Sequence, residues 1–138
     1  MKDIQIIYDS MQHCTALKKS RGKKVSMDCP YTGKGEEFSP TNLVESALGG
    51  CILISMGTYA MQHDIDLTGA KVDVHITATD KPVMRFDTVE VKVNMPEGIS
   101  KKIGKRLERA ADSCPIKNSL AKEIPVTVKF SYPSVAII

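Results

Sequence analysis

Four cysteines, Cys14, Cys29, Cys51 and Cys114, are the residues in this chain best suited to covalent chemistry. They follow one another at intervals of 15, 22 and 63 residues with no Cys-x-x-Cys pair, so the spacing argues against a structural zinc site. His13, His63 and His75 form no helical pair that would hold a metal. In a reducing compartment, cysteines so spread are free, catalytic or metal-bound rather than structural cross-links.

Each thiol has its own context. Cys29 alternates with Val25 and Met27, and Cys14 shares parity with Ala16, so both read as small apolar filler on a strand face. Cys51 stands in ALGGCILISMG, residues 47–57, directly after Gly49 and Gly50. Two consecutive glycines cost a helix roughly 1 kcal/mol each against alanine. Either close helix packing or access to the Cys51 sulfur would account for them. Cys114 lies in DSCPIKNS at a helix break, just before Pro115. Amides at the start of the following helix would stabilise a thiolate there, and the alternative is a cysteine that merely ends an apolar stripe.

The elements that must position these thiols are legible from period and punctuation. Residues 4–8, 11–18 and 23–29 read as three short strands, followed by a glycine- and proline-rich loop, PYTGKGEEFSP. Ser39 and Pro40 start a helix, a serine cap followed by proline where the missing N–H costs nothing. From there to about His63 apolar residues cover most of the circumference, which predicts a buried helix.

Two alternating strands follow: in 72–79 Val72, Val74, Ile76 and Ala78 share a face, and in 88–95 Val89, Val91, Val93 and Met95 do. Residues 99–114 form an amphipathic helix with Ile103, Leu107, Ala110, Ala111 and Cys114 on one stripe. A short helix begins after Pro115, and 126–132 is a last strand. The order βββ-α-ββ-α-β is that of an α+β domain, and no linker or repeat divides residues 1–138.

Composition narrows the function classes. With 138 residues, 42% hydrophobic and 25% charged, the chain is ordinary for one globular domain. Asp3 stands where a signal peptide needs a basic start, and the longest apolar stretch is interrupted by glycine and serine, so a cytoplasmic protein with no membrane span is expected. Five cations on the second helix and a KSRGKK hairpin raise the question of nucleic acid. A net charge of +3, 5% aromatic residues and no tryptophan to stack bases argue for a solvated surface instead.

FSPTNLVESALGGC, followed some sixty residues later by a cysteine-proline pair, resembles the OsmC/Ohr family (osmotically inducible and organic hydroperoxide resistance proteins), and the match covers the whole chain. The resemblance implies an intertwined homodimer with antiparallel sheets around two central helices. It further implies Cys51 as peroxidatic and Cys114 as resolving cysteine in a thiol peroxidase. An organic hydroperoxide, alkyl or fatty-acid, would be the substrate, with an external dithiol as reductant and no cofactor, metal, nucleic acid or membrane involved.

The resemblance departs at one point. Thr41 and Asn42 stand after Pro40, where the family usually carries a glutamate paired with an arginine from the N-terminal strands. Arg21, on a hairpin turn, is the arginine in that region, and Glu45 lies about 120° around the helix from Cys51. Without such a pair, Cys51 is expected to keep an ordinary thiol pKa near about 8.5. The competing reading is a non-catalytic module that holds a small apolar or thiol-reactive ligand at the dimer interface.

Overall fold

The computed structural model describes residues 2–133. The chain divides into two compact units, Met1–Val44 and Glu45–Ile138.

In the first unit, β1 (Ile4–Ser10), β2 (His13–Lys18) and β3 (Lys23–Asp28) form an antiparallel sheet in chain order. The second strand is shorter than the expected 11–18. Met11 and Gln12 have φ of 52° and 63° and close a two-residue hairpin, with Ser10 opposite His13. A pair of left-handed residues suits the twist of the flanking strands, but the usual Asn-Gly or Asp-Gly signal is absent, so the sequence reads as continuous strand. The loop after β3 is tied down by Asp28, whose buried carboxylate accepts the N–H groups of Glu36 and Glu37.

The helix start is as expected. α1 (Pro40–Gln62) is capped reciprocally: Ser39 Oγ accepts the Asn42 N–H, and Asn42 Oδ1 accepts the Ser39 N–H, both at 3.0 Å.

The second unit holds most of α1 with β4 (Lys71–Thr79), β5 (Arg85–Asn94), α2 (Lys101–Ala111), α3 (Pro115–Asn118) and β6 (Val126–Ser131). The two alternating faces read from the sequence meet directly: Val72, Val74 and Ile76 pair with Val93, Val91 and Val89. Their common face packs a core with Leu48, Ile52, Met56, Leu107 and Ala111. Burying side chains of that size stabilises by about 1.5–3 kcal/mol apiece.

One expectation about the sheets is corrected. The second is mixed, since β6 pairs parallel with β5. A parallel return needs a long crossover, and α2 with α3 supplies it.

A second correction concerns α1, expected to be buried on all sides. Leu48, Gly49, Ile52, Met56 and Ala60 are buried along one stripe, whereas Ile54 and Met61 are 72% and 83% exposed. By length and composition alone α1 would serve as a membrane span, yet its fully buried Leu48, Ile52 and Met56 make it the core helix of this unit. Its opposite apolar face is left open.

Candidate active site

Gly49 and Gly50 turn out to have different neighbours. A Cβ on Gly49 would sit 3.1 Å from Val74 Cγ2 and 3.3 Å from Val72 Cγ1, so this glycine lets α1 press against β4. A Cβ on Gly50 would meet nothing within 4 Å and would instead project into a cavity of about 500 Å³ beside Cys51. The packing reading is thus realised at Gly49, while Gly50 lies in the wall of the cavity beside Cys51. The cavity is apolar, with Ala47, Ile54, Pro115 and Ile116 in its wall, and Ser55 and Thr58 add hydroxyls.

α2 ends in a turn, and Pro115 opens α3, placing Cys114 at its N-cap with the sulfur accepting the Lys117 N–H at 3.4 Å. The break brings Cys114 to Cys51. The two are 63 residues apart in sequence, yet Cys114 lies close enough to the Cys51 sulfur to shift its ionisation, and both are free thiols. Cys51 is half-buried at the cavity wall, whereas Cys114 is completely buried.

The pair has split acidities. The Cys114 donor first, then the Ile116 N–H and the Ser55 hydroxyl, hold the Cys51 thiol below its usual pKa. Burial first, then its bond to Cys51, pushes Cys114 up. This corrects two expectations. Cys51 does not keep an ordinary pKa for want of an arginine–glutamate pair, because thiol, amide and hydroxyl donors stabilise its thiolate instead. The amides of Lys117 and Ile116 after the helix break do not make a thiolate of Cys114, because desolvation and the neighbouring Cys51 outweigh them.

Arg21 lies exposed in the turn between β2 and β3 of the first unit, its own N–H bonded to the Lys18 carbonyl. Arg85 opens β5 and donates to the carbonyls of Lys81 and Phe86. Glu45 accepts the Ile76 N–H across α1 and β4, a structural tie.

Cys29 is not strand filler. It falls past the end of β3 in a turn, is only half-buried, and accepts the Thr32 N–H at 3.5 Å. Cys14, also half-buried, lies on β2 opposite Met27.

Two features had no sequence signal. Tyr59 on α1 accepts a hydrogen bond from Arg106 Nε on α2, and Tyr132 donates to Glu108 across a gap that Gly104 leaves open.

The profile of the OsmC-like protein family matches residues 33–129. The chain belongs to the OsmC-like family. Among solved structures, a putative osmotic stress induced and detoxification response protein from Psychrobacter arcticus is similar at 26% identity and a TM-score of 0.88, covering 95% of this chain and 96% of that one. The Legionella pneumophila organic hydroperoxide resistance protein OsmC shares the fold at 16% identity and a TM-score of 0.74, over 95% and 98% of the two chains. Organic hydroperoxide resistance protein OhrB of Bacillus subtilis shares it at 11% and 0.69, over 93% and 97%. None of the curated proteins matches the chain. In this OsmC-like chain the matched residues 33–129 include both Cys51 and Cys114, and Thr41 and Asn42 occupy the start of α1.

Proposed function

We propose that the protein is a thiol peroxidase that reduces organic hydroperoxides. The observation that carries this is a juxtaposed pair of free thiols, with Cys51 in the wall of an apolar cavity that the Pro115–Ile116 turn after Cys114 also lines, and their opposed acidities support it. Family membership supports a redox role in peroxide stress.

The Cys51 thiolate attacks the distal oxygen of the hydroperoxide, the O–O bond breaks, and the alkoxide leaves as an alcohol after taking a proton. Cys51 becomes a sulfenic acid. Cys114 then attacks the oxidised sulfur, water departs, and a Cys51–Cys114 disulfide forms. An external dithiol reduces it by exchange, returning both thiols. Burial suits Cys114 to this second step, since a protonated thiol does not compete for peroxide.

The apolar face of α1, with Ile54 exposed in the wall of the Cys51 cavity, together with exposed Ile4, Ile6, Ile7 and Tyr8 of β1, supports a homodimer in which a second copy covers these surfaces.

The test is stoichiometric. Reduced protein mixed with cumene hydroperoxide should consume one equivalent and yield the Cys51–Cys114 disulfide. Cys51→Ser should consume none, and Cys114→Ser should leave a sulfenic acid that dimedone traps. Reduced protein that leaves the hydroperoxide untouched would favour the ligand-binding module instead.

A further inference from the structure

Two contacts register α1 against α2 and the turn that follows it. Cys51 meets Cys114, and eight residues further along α1, Tyr59 meets Arg106, eight residues back from Cys114. The segments are therefore antiparallel here, and the Tyr59–Arg106 contact lies about 12 Å along α1 from the thiols. Thr58 lines the Cys51 cavity, and the very next residue, Tyr59, lines a second cavity of about 410 Å³ with Arg106, Arg109 and Ala110.

The second cavity is cationic, and Arg109 also lines a neighbouring one with Glu108, Asp112 and Lys117. Tyr59 is held on two sides, its ring stacked on His63 at 4.1 Å between centroids and its oxygen accepting from Arg106 Nε. Because that oxygen is the acceptor, the phenolic proton is left to donate elsewhere. Arg106 donates Nε to Tyr59, and among the described residues neither its terminal nitrogens nor Arg109 forms an ion pair with a carboxylate. The α2 acids have other partners, Glu108 with Tyr132 and Asp112 with Lys117. Two guanidinium groups and a phenol facing one small cavity fit the planar, two-oxygen geometry of a carboxylate.

We propose that Tyr59, Arg106 and Arg109 form a carboxylate subsite, and that the chain takes amphiphilic acids whose apolar portion lies in the Cys51 cavity. The subsite deepens the peroxidase reading by assigning the acid head group of a hydroperoxide substrate to these three residues, and it can be tested without turnover.

Calorimetry with decanoate and decanol separates the two questions. Decanoate should bind the reduced protein about ten-fold more tightly than decanol, as hydrogen bonds to a charged group imply. Arg109→Gln, at an exposed position of α2, and Arg106→Gln should each erode that preference, and their combination should abolish it. In kinetics the preference for a hydroperoxy acid over its methyl ester should fall in parallel, through KM. Arg-dependent decanoate binding by a protein that turns over no peroxide would uphold the subsite and sink the peroxidase. Turnover of tert-butyl hydroperoxide with equal binding of decanoate and decanol would overturn the subsite alone. So would inorganic phosphate that competes as well as decanoate, since a bare anion site needs no apolar chain.

Discussion

The fully buried Cys114 lies beside the half-buried Cys51 and is the largest influence holding its pKa down, so in the proposed peroxidase the resolving thiol would also stabilise the attacking thiolate. That double role separates two substitutions ordinarily treated as equivalent. Cys114→Ser keeps a donor, and Cys114→Ala removes it.

Because the pKa of Cys51 is lowered, its reactivity is present above that folded-state value and is lost as pH falls through it. In Cys114→Ala the midpoint should move up toward the ordinary thiol range, and alkylation at neutral pH should slow by up to about ten-fold per pH unit of movement. Cys114→Ser should lie close to wild type. The pH dependence of iodoacetamide labelling in the two variants, with thiolate absorbance as a second readout, checks this. Coincident profiles for the alanine and wild-type proteins would remove Cys114 from the activation of Cys51.

The glycine pair should respond in opposite directions. In Gly49→Ala the new methyl meets the stiff side chains of Val72 and Val74, and the overpacking cost of about 1–3 kcal/mol outweighs the gain of roughly 1 kcal/mol in helix propensity. Gly50→Ala meets nothing, so the propensity gain should survive, while the methyl narrows the cavity and slows bulky hydroperoxides more than small ones. Urea unfolding of both variants and a substrate-size series would show whether the roles are reversed.

Most of the fold was legible because it is written in short-range pattern. The Ser39–Pro40 start, the paired valine faces of β4 and β5, and the break at Pro115 each follow from local sterics or period. The left-handed Met11–Gln12 turn was not, since neither residue advertises a positive φ. The parallel docking of β6 was hidden because strand direction is decided by the crossover, not by the strand. At the site, the two cysteines were visible as a pair only through family resemblance. The donors to Cys51 come from Cys114, Ile116 and Ser55, and no spacing rule announces amides and hydroxyls that converge through folding. Tyr59 and Arg106 were missed for the same reason, each being unremarkable in its own helix.

Gly104 is required by a side chain and not by a turn. A Cβ there would collide with the ring and hydroxyl of Tyr132, which donates to Glu108. Burial and that carboxylate raise the Tyr132 pKa, so its proton stays in place through the neutral range. Gly104→Ala should destabilise the protein by about 3 kcal/mol or more, in the range reserved for overpacked cores and broken buried bonds. The hydroxyl is the nearest obstacle, so Tyr132→Phe should relieve part of that loss when combined with Gly104→Ala. A double-mutant cycle by urea unfolding measures the coupling, and strictly additive losses would mean that the two residues do not share the space.

Cys29 provides the control for thiol specificity. The Thr32 side chain, its backbone N–H and the amides of Tyr31 and Gly33 hold this thiol below its usual pKa, so raised acidity alone cannot distinguish it from Cys51. What differs is the partner, since Cys51 has Cys114 within hydrogen-bonding reach and an apolar cavity in front of it. Limited alkylation at neutral pH should label Cys29 and Cys51 before the buried Cys114. Organic hydroperoxide should protect Cys51 by driving it into the disulfide, while Cys29 stays open to the reagent. Cys29→Ser should accordingly leave the stoichiometry of peroxide consumption at one equivalent. Peptide mapping after the two treatments reads both outcomes, and loss of consumption in Cys29→Ser would move the reactive centre to the first unit.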